Sequence, residues 1–420
     1  MTQEPTPHGP LSGLRVLEMA DEKGQFCGKL MGDLGADVIK IEPPGGERTR
    51  SVGPFLDDIP HPDRSLYFWH YNTSKRGITL DLNTGDGREL FKGLVATADV
   101  VLETRPPGYL PGLGLGYEEL SAINPRLIMC SLTPFGQTGP WRDYLASDLV
   151  HMAGGGQMAS CGYDDDDVPD APPIAPGTGA AWHISNYHTC LAIVSAIYYR
   201  DISGEGQYID ASIHEACTHS SEIAVPIYLY EGQVVLRHTG RTALPDISPK
   251  TQLRCKDGKW ININRIASRM EPPRLRLLAE WMDKHGLAQD LLDEKYQDPQ
   301  TIQDEINHIN DAVENFFANI TQEEAYHGGQ ALGFPWGAVQ TIEDVELDPG
   351  LIERGFFVEV EHPELDKSFT YTGPAAIYST LSRGISRRAP RVGEHNEQVL
   401  CAEMGLSKDD LMMLVSAGAI

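Results

Sequence analysis

Near the start of the chain, two short runs of apolar residues are separated by a segment in which apolar residues recur at helical spacing. LRVLEMA (14–20) predicts a short buried strand, GKLMGDLGA (28–36) a helix and DVIKIEP (37–43) a second strand. Pro-Pro-Gly-Gly ends this second strand, because Pro and Gly interrupt regular structure. Strand, helix and strand in this order predict a βαβ unit.

The same alternation continues along the first third of the chain. Strands are predicted over 76–82, 99–104 and 126–133, separated by helices over 85–98 and 116–125. Parallel strands need such crossover helices, which then cover both faces of the sheet. We therefore expect an α/β fold whose large domain is a mainly parallel, Rossmann-like sheet.

A long apolar segment follows. SNYHTCLAIVSAIYY (185–199) lacks Gly and Pro and predicts a buried helix, and 208–216 predicts a strand that runs into another helix. Further on, TQLRCKDGKWININ (251–264) alternates as a β-hairpin does around Lys256–Asp257–Gly258, and 270–330 is charged and helical in pattern.

The length of 420 residues exceeds what one hydrophobic core usually serves. We predict the N-terminal part of the large domain over 1–225 and a small α+β domain over 226–330. Residues 331–420 contain further strand-like pieces and a terminal helix, and we expect them to complete the large domain.

Composition and charge exclude several classes of protein. The chain is 41% hydrophobic and 22% charged, as soluble globular proteins are, and its formal charge of −26 opposes nucleic acid and anionic membranes as partners. The seven cysteines are scattered and never spaced C-x-x-C, which favours reduced thiols. No signal core or membrane span is present in the sequence, so we expect the protein in the cytoplasm.

An ordered set of motifs carries a resemblance. DLGADVIKIEPPGGERTR, NTSKRGITLDL, PGLGLGYEELSAINPRLI, SLTPFGQTGPWRDYLASDLV and YYRDISGEGQYIDASIHEA follow one another, and DPGLIERGFFVEVEHP and APRVGEHNEQVL come near the end. Each motif alone is a weak signal. Together they resemble the family III CoA-transferases, the group that includes formyl-CoA and carnitine CoA-transferases.

The resemblance implies a fold and a reaction. The fold is a Rossmann-like large domain with a small inserted domain, and two chains thread through each other as interlocked rings. In such enzymes an aspartate attacks an acyl-CoA and forms a mixed anhydride, then a glutamyl- or aspartyl-CoA thioester, so that CoA passes to a second carboxylic acid. Glycine-rich backbone turns stabilise the oxyanions. A CoA thioester is then a substrate of the complex, and we expect this chain itself to bind no cofactor or metal.

The expected nucleophile is missing from this chain. Counting back from Arg200, its position falls on Trp182 or His183, and no Asp or Glu occurs from Ala171 to Arg200. Indole cannot form the anhydride, and imidazole imitates it only as a short-lived acyl-imidazole. An alignment error of a few places does not restore a carboxylate, because the whole window lacks one.

Other positions depart from the family pattern in the same direction. Gly112 stands where a basic CoA contact is usual, and the family's Gly-Pro after the first strand is Gly24–Gln25. Thr104 replaces an Asn, and His151–Met152 replaces Gln-Ala. Lys75 in NTSKRG matches a family position near the CoA phosphates, where a cation makes electrostatic sense, and we expect it to be a remnant of that site.

Remaining candidates have plainer interpretations. His183 and His188 lie five apart, which does not suit one helical face, so ordinary packing is favoured over a metal site with His214. His183 as a general base and Cys161 or Cys190 as a nucleophile stay open as alternatives. We expect the last features to be structural: Asp148, the acidic loop Asp164–Asp167, the turn Gly154–Gly156, and Gly112–Gly116, whose glycine spacing is not that of a dinucleotide site.

These observations favour a non-catalytic subunit of a heteromeric family III CoA-transferase, paired with a homologous chain that keeps the aspartate, as an interlocked heterodimer or heterotetramer. Among heteromeric members, the resemblance points to transfer of CoA from succinyl-CoA to (R)-benzylsuccinate in anaerobic aromatic degradation. Two alternatives remain. One is an active homodimeric transferase or acyl-CoA racemase that uses a residue other than Asp, and the other is an acyl-CoA-binding regulatory protein.

Overall fold

A computed structural model describes residues 9–164, 166–177, 179–221, 224–263, 270–379 and 384–420. Within these residues the chain divides into two units. The first unit comprises Met1–Gly155, Gly177–Ser220 and Pro349–Ile420, and the second comprises Gly156–Pro176 and Ser221–Asp348. Each unit is described separately below.

The first unit is built on a six-stranded parallel sheet with the strand order β3-β2-β1-β4-β5-β6. The strands are β1 (Arg15–Met19), β2 (Asp37–Glu42), β3 (Lys75–Thr79), β4 (Val100–Glu103), β5 (Ile128–Thr133) and β6 (Gln207–Ser212). Val16 of β1 pairs with Val38 of β2 on one side and with Val100 of β4 on the other. This is the order of a classical Rossmann fold, so the predicted α/β class is confirmed.

Helices cover both faces of this sheet. They are α1 (Gln25–Asp33), α2 (Leu66–Tyr71), α3 (Gly85–Val95), α4 (Tyr109–Gly112), α5 (Tyr117–Ile123), α6 (Asp148–Gly154), α7 (Ala180–Ser203) and α8 (Ile213–His219). Successive strand residues point to opposite faces. Val16 therefore packs with Met31 of α1 and Ile193 of α7, whereas Leu17 packs with Phe91 of α3 and Leu120 of α5.

Helix α7 corrects one prediction, since it is longer than 185–199 and buried on one face only. Ile193, Ala196, Ile197 and Arg200 are buried. The opposite face carries apolar side chains that are exposed in this chain, with Leu191 at 64% and Ile202 at 71%. Apolar composition predicted the helix, but composition alone does not tell which of its faces is buried.

The chain from Pro349 to Ile420 belongs to the first unit. Two helices, α15 (Pro349–Glu353) and α16 (Lys408–Ser416), flank an antiparallel hairpin of β10 (Phe357–His362) and β11 (Lys367–Thr372). A π-helical turn spans Glu397–Glu403. Val399 and Leu400 of this turn pack into the same apolar cluster as Leu17.

The second unit is a small α+β body. A three-stranded antiparallel sheet is formed by β7 (Gln252–Arg254), β8 (Trp260–Asn262) and β9 (Gly337–Ala338). The helices are α9 (Ala224–Glu231), α10 (Pro272–Lys284), α11 (Pro299–Asp304), α12 (Ile306–Phe317), α13 (Gln322–Ala331) and α14 (Ile342–Glu346). The hairpin predicted over 251–264 corresponds to β7 and β8; position 264 itself lies outside the described residues.

The division between the units differs from the predicted boundaries in three segments, of which 221–225 is the shortest. Residues 156–176 lie in the second unit, because Asp164 accepts a hydrogen bond from the Thr239 backbone N–H and Arg237 donates to the Tyr163 carbonyl. Residues 331–348 also lie there, because β9 pairs with β8 and Trp336 fills the apolar core of that unit. Both ties are tertiary contacts, which residue patterns along the chain do not reveal.

In the described part of the chain, none of the helices combines the length and the apolar composition needed to cross a bilayer.

Candidate functional site

The sheet order places a candidate site at the carboxyl ends of β1 and β4. Strand order reverses between these two strands, and ligands of open α/β sheets bind in the crevice at such a point. Asp21, after β1, accepts a hydrogen bond from the Thr104 hydroxyl after β4 at 2.9 Å and forms an ion pair with Lys23. Burial raises the pKa of Asp21, but the Lys23 ammonium outweighs it and holds that pKa below its ordinary value. The two loops at the reversal point are therefore joined through a charged carboxylate.

Glu103, the last residue of β4, lies beneath these loops and was not singled out from the sequence. Its side chain is 4% exposed and accepts a hydrogen bond from the Arg105 backbone N–H at 2.5 Å. Burial raises the pKa of Glu103 to about 7, against the lowering effect of hydrogen bonds from Ser131 and Arg105. A single Glu in an apolar strand gives no sequence signal for such a shift.

The first turn of α7 carries Trp182 and His183 beside this edge. The helix begins after Gly179, and Asp148 Oδ1 accepts a hydrogen bond from the Ala181 backbone N–H at 2.8 Å. Asp148 therefore supplies an acceptor at the helix N-terminus, where backbone donors lack intrahelical partners. This contact agrees with the structural role predicted for Asp148.

The His183 ring is held by aromatic neighbours. It stacks on Phe26 with ring centroids 4.6 Å apart, and His183 Nε2 is 2.7 Å from the Tyr71 hydroxyl. Burial lowers the pKa of His183, although Asp148 opposes this effect. The imidazole is therefore neutral near pH 7, with one ring nitrogen engaged by Tyr71. Tyr71 was missed in the sequence because a lone Tyr before NTSKRG has no diagnostic spacing.

Asn186, one turn further along α7, ties this helix to the loop after β1. Its Oδ1 accepts a hydrogen bond from the Cys27 backbone N–H at 2.7 Å, and its Nδ2 donates to the Lys23 carbonyl at 2.6 Å. Asn186 is itself fully buried. The start of α7 and the β1–α1 loop are therefore held together by paired polar groups.

Comparison with known proteins identifies the family. The profile of CoA-transferase family III matches residues 11–396. Succinyl-CoA--D-citramalate CoA-transferase of Chloroflexus aurantiacus is 32% identical over 410 residues, which cover 97% of each chain. Succinyl-CoA:(R)-benzylsuccinate CoA-transferase subunit BbsE of Thauera aromatica is 32% identical over 416 residues, covering 97% of this chain and 98% of that protein. The chain belongs to CoA-transferase family III.

A solved structure agrees with this assignment. The crystal structure of a CaiB/BaiF family protein from Brucella suis superposes with a TM-score of 0.78 at 30% sequence identity. The match covers 94% of this chain and 99% of the other. The resemblance inferred from the ordered motifs is therefore confirmed at the level of fold and family.

Lys75, which the family pattern placed near the CoA phosphates, is fully buried here. Its ammonium donates to the Gln25 carbonyl at 2.7 Å and to Asn72 Oδ1 at 2.9 Å, and forms an ion pair with Glu18 at 2.7 Å. Burial lowers the pKa of Lys75 to about 8, against the opposing effect of Glu18. Lys75 thus supports the start of α1 from within, and a role in binding CoA stays a prediction.

His151, a departure from the family pattern, lies in an aromatic cluster around the start of α7. It is fully buried, its ring lies 5.7 Å from that of Trp182, and neither ring nitrogen has a hydrogen-bond partner within the described residues. Burial lowers the pKa of His151 to about 4, with a smaller contribution from His214. A neutral imidazole therefore packs beneath the position expected for the nucleophile.

The glycines after α6 serve packing. A Cβ on Gly154 would lie 2.9 Å from His214 Cε1, and Gly156 has a φ of 94°, which favours glycine. Gly114, in the segment 112–116, also has positive φ at 70°. These contacts agree with the turn interpretation of both glycine runs.

The three histidines considered for a metal site lie apart. His183 contacts Phe26 and Tyr71, His214 packs near Phe135, and His188 lies against His219. Across the described ranges, no group of three or more His, Cys, Asp or Glu side chains has metal-binding geometry.

The acidic loop and Cys161 lie in the second unit. Asp164 accepts hydrogen bonds from backbone N–H groups of Asp167 and Thr239, which lower its pKa, and Asp165 lies outside the described residues. The Cys161 carbonyl accepts a hydrogen bond from the Ile174 backbone N–H.

Proposed function

We propose that this chain is the non-catalytic subunit of a heteromeric family III CoA-transferase, and that a homologous partner chain carries the aspartate. The reaction moves CoA from an acyl-CoA donor, succinyl-CoA, to a carboxylic acid such as (R)-benzylsuccinate in anaerobic aromatic degradation. One observation carries the proposal: the first turn of α7 holds Trp182 and His183, and the sequence has no carboxylate from Ala171 to Arg200. Without a carboxylate oxygen to acylate, the anhydride route is closed to this chain.

The surroundings of these two residues support the proposal. Trp182 packs near the buried His151, and His183 is stacked on Phe26 and engaged by Tyr71. Aromatic rings therefore fill the position that a reactive carboxylate occupies in the family's reaction. A neutral, aromatic environment also disfavours a charged carboxylate, the group that attacks the acyl-CoA in the family's reaction.

Helix α7 supports the pairing with a second chain. Tyr187, Leu191, Tyr198 and Ile202 are exposed and recur at spacings of four and seven residues along one face of the helix. Exposed apolar patches of this kind mark protein interfaces. A relative from Thauera aromatica is itself named as a subunit. We expect the two chains to interlock as rings.

All seven cysteines are free thiols, which supports a cytoplasmic location.

The proposal is tested by expressing the chain alone and together with an aspartate-bearing homologue. CoA transfer from succinyl-CoA to (R)-benzylsuccinate is followed by chromatography of the CoA esters. We expect no transfer by the chain alone and transfer by the mixture. Replacing the partner's aspartate by Ala abolishes transfer, whereas His183→Ala in this chain leaves it within about tenfold, because no covalent step uses His183. Full activity of the chain alone, or an inactive mixture, contradicts the proposal.

A second candidate function is favoured by the 2.7 Å contact between His183 Nε2 and the Tyr71 hydroxyl. A neutral imidazole oriented by a hydroxyl is a suitable general base, so an active homodimeric transferase or acyl-CoA racemase is the alternative. This alternative predicts turnover by the chain alone, lost in His183→Ala and reduced in Tyr71→Phe. The same assay on the isolated chain decides between the two functions.

A further inference from the structure

Two cysteines from distant parts of the chain meet between α1 and α7. Cys27 lies in the first turn of α1, and Cys190 lies one helical turn after Asn186 on α7, whose Oδ1 accepts the Cys27 backbone N–H. Residues four apart share a helix face, so Cys190 faces α1 as Asn186 does. Cys190 packs against the apolar cluster that contains Cys27, and each of the two thiols shifts the pKa of the other.

The two thiols differ in reactivity. The neighbouring Cys27 thiol lowers the pKa of Cys190, whereas the neighbouring Cys190 thiol and burial raise the pKa of Cys27 well above its ordinary value. Cys190 is partly exposed and Cys27 is fully buried. The thiolate is the nucleophilic form of cysteine, so Cys190 is the sulfur that an oxidant reaches first. Cys130, Cys217 and Cys255 are buried thiols, and burial raises the pKa of each.

We propose that Cys27 and Cys190 are a reversible oxidation site that forms an intramolecular disulfide when the protein meets a hydroperoxide. The Cys190 thiolate attacks the peroxide, an S–O bond forms, the O–O bond breaks, and the released hydroxide takes a proton to become water. The Cys27 sulfur then attacks the Cys190 sulfenic acid, an S–S bond forms, and a second water leaves with the Cys27 proton. Two thiols are oxidised and one hydrogen peroxide is reduced to two waters.

The cross-link would join the two helices that flank the candidate site. Phe26 precedes Cys27 and stacks on His183, which lies two turns before Cys190 on α7. A disulfide there fixes the start of α1 to α7 beside the strand-order reversal. The inference concerns thiols alone and does not depend on the proposed transferase role.

The test uses the full chain, purified under reducing conditions and then treated with hydrogen peroxide. Remaining thiols are blocked with N-ethylmaleimide, and the unreduced digest is analysed by mass spectrometry. We expect a peptide pair joined through Cys27 and Cys190, the loss of two titratable thiols of the seven, and full recovery of both with dithiothreitol.

Three variants sharpen this result. In Cys27→Ser, Cys190 accumulates as a sulfenic acid that a dimedone probe labels; in Cys190→Ser, Cys27 stays reduced. Cys401→Ser is the matched control, because Cys401 is also partly exposed but lies next to the Ser407 carbonyl, and it keeps the cross-link. Should a variant fail to fold, the peptide map of the unaltered chain still decides. A Cys27–Cys130 pair, or oxidised Cys190 with Cys27 still alkylated by N-ethylmaleimide after denaturation, overturns the proposal.

Discussion

The two units stabilise their interiors by different means. Among the described residues, every buried Lys, Arg or Glu side chain lies in the first unit. They are Glu18, Lys29, Lys40, Glu42, Arg50, Lys75, Arg76, Glu103 and Arg200. The second unit instead packs aromatic and aliphatic groups, with Trp336 between Phe317 at 5.2 Å and Phe334 at 4.6 Å. Both units bury apolar surface, but within the described residues only the first unit also buries Lys, Arg and Glu side chains.

The buried charges of the first unit also hold irregular backbone. They bond to main-chain groups in the loops after β1 and β2 and near the C-terminal segment: Lys40 to the Ala20 carbonyl, Lys75 to the Gln25 carbonyl, Glu42 to the Glu47 N–H and Arg50 to the Pro390 carbonyl. Apolar side chains cannot satisfy such groups. This chain therefore places buried charge where loops at the carboxyl edge of the sheet must keep one conformation.

The largest effect is expected from breaking the charge set at its centre. Glu18 pairs with Lys40 at 3.1 Å and with Lys75 at 2.7 Å, and all three side chains are at most 1% exposed. Glu18→Gln leaves two buried ammonium groups without their carboxylate and costs about 3–5 kcal/mol, measured by urea unfolding. The double variant Glu18→Gln/Lys75→Met recovers part of this loss, because one uncompensated charge is removed. Additive losses contradict the pairing.

In the second unit we expect the corresponding loss of stability from a cavity created in the apolar core. Leu278 of α10 is fully buried in the apolar core, and Leu278→Ala costs about 3 kcal/mol of local stability. Hydrogen exchange followed by mass spectrometry separates the units, and we expect faster exchange in α10 and α12 with little change in β1–β6. Leu278→Met, which nearly conserves volume, is the control and costs less. Faster exchange throughout the parallel sheet is the contrary result.

The sheet could be predicted from sequence because its signals are local. Strands β1, β2, β4 and β5 are short, largely apolar runs, so their positions along the chain followed from local patterns. Counting from Arg200 placed Trp182 and His183 just before the predicted helix 185–199, whereas both lie in the first turn of α7. These inferences need no knowledge of which distant segments meet.

The features that could not be predicted from sequence depend on which distant segments of the chain lie close together. Segment 156–176 lies in the second unit through Asp164 and Arg237, which bond to groups far away in sequence. Glu103, Tyr71 and the Cys27–Cys190 pair are single residues whose roles arise from burial and from neighbours on other elements. Burial of Lys75 was missed for the same reason, since a Lys in a strand gives no warning that Glu18 lies opposite.

A pH effect of moderate size is expected from Glu103. Its pKa is raised by burial to about 7 from an ordinary 4.5, so between these values the folded chain binds more protons than the unfolded chain. Stability contributed by this group is therefore present below about pH 4.5 and falls as the pH rises towards 7. We expect Glu103→Gln to reduce this loss of unfolding free energy by about 1–2 kcal/mol. The measurement compares the urea unfolding midpoints of the variant and the unaltered chain at about pH 5 and about pH 7.5. An unchanged difference between the two midpoints is the contrary outcome.

The smallest effects concern helix starts, where the units again differ. Helix α13 of the second unit is capped locally, because the Thr321 hydroxyl accepts the Glu324 N–H at 3.2 Å and Glu324 accepts the Thr321 N–H at 2.8 Å. Helix α7 instead takes its acceptor from Asp148 on α6.

Thr321→Ala and Asp148→Ala each cost about 1 kcal/mol. Hydrogen exchange then increases in α13 alone for Thr321→Ala but in both α6 and α7 for Asp148→Ala, while Asp148→Asn, which keeps an acceptor oxygen, changes little. Exchange confined to one helix in Asp148→Ala would show that the first unit, too, caps its helices locally.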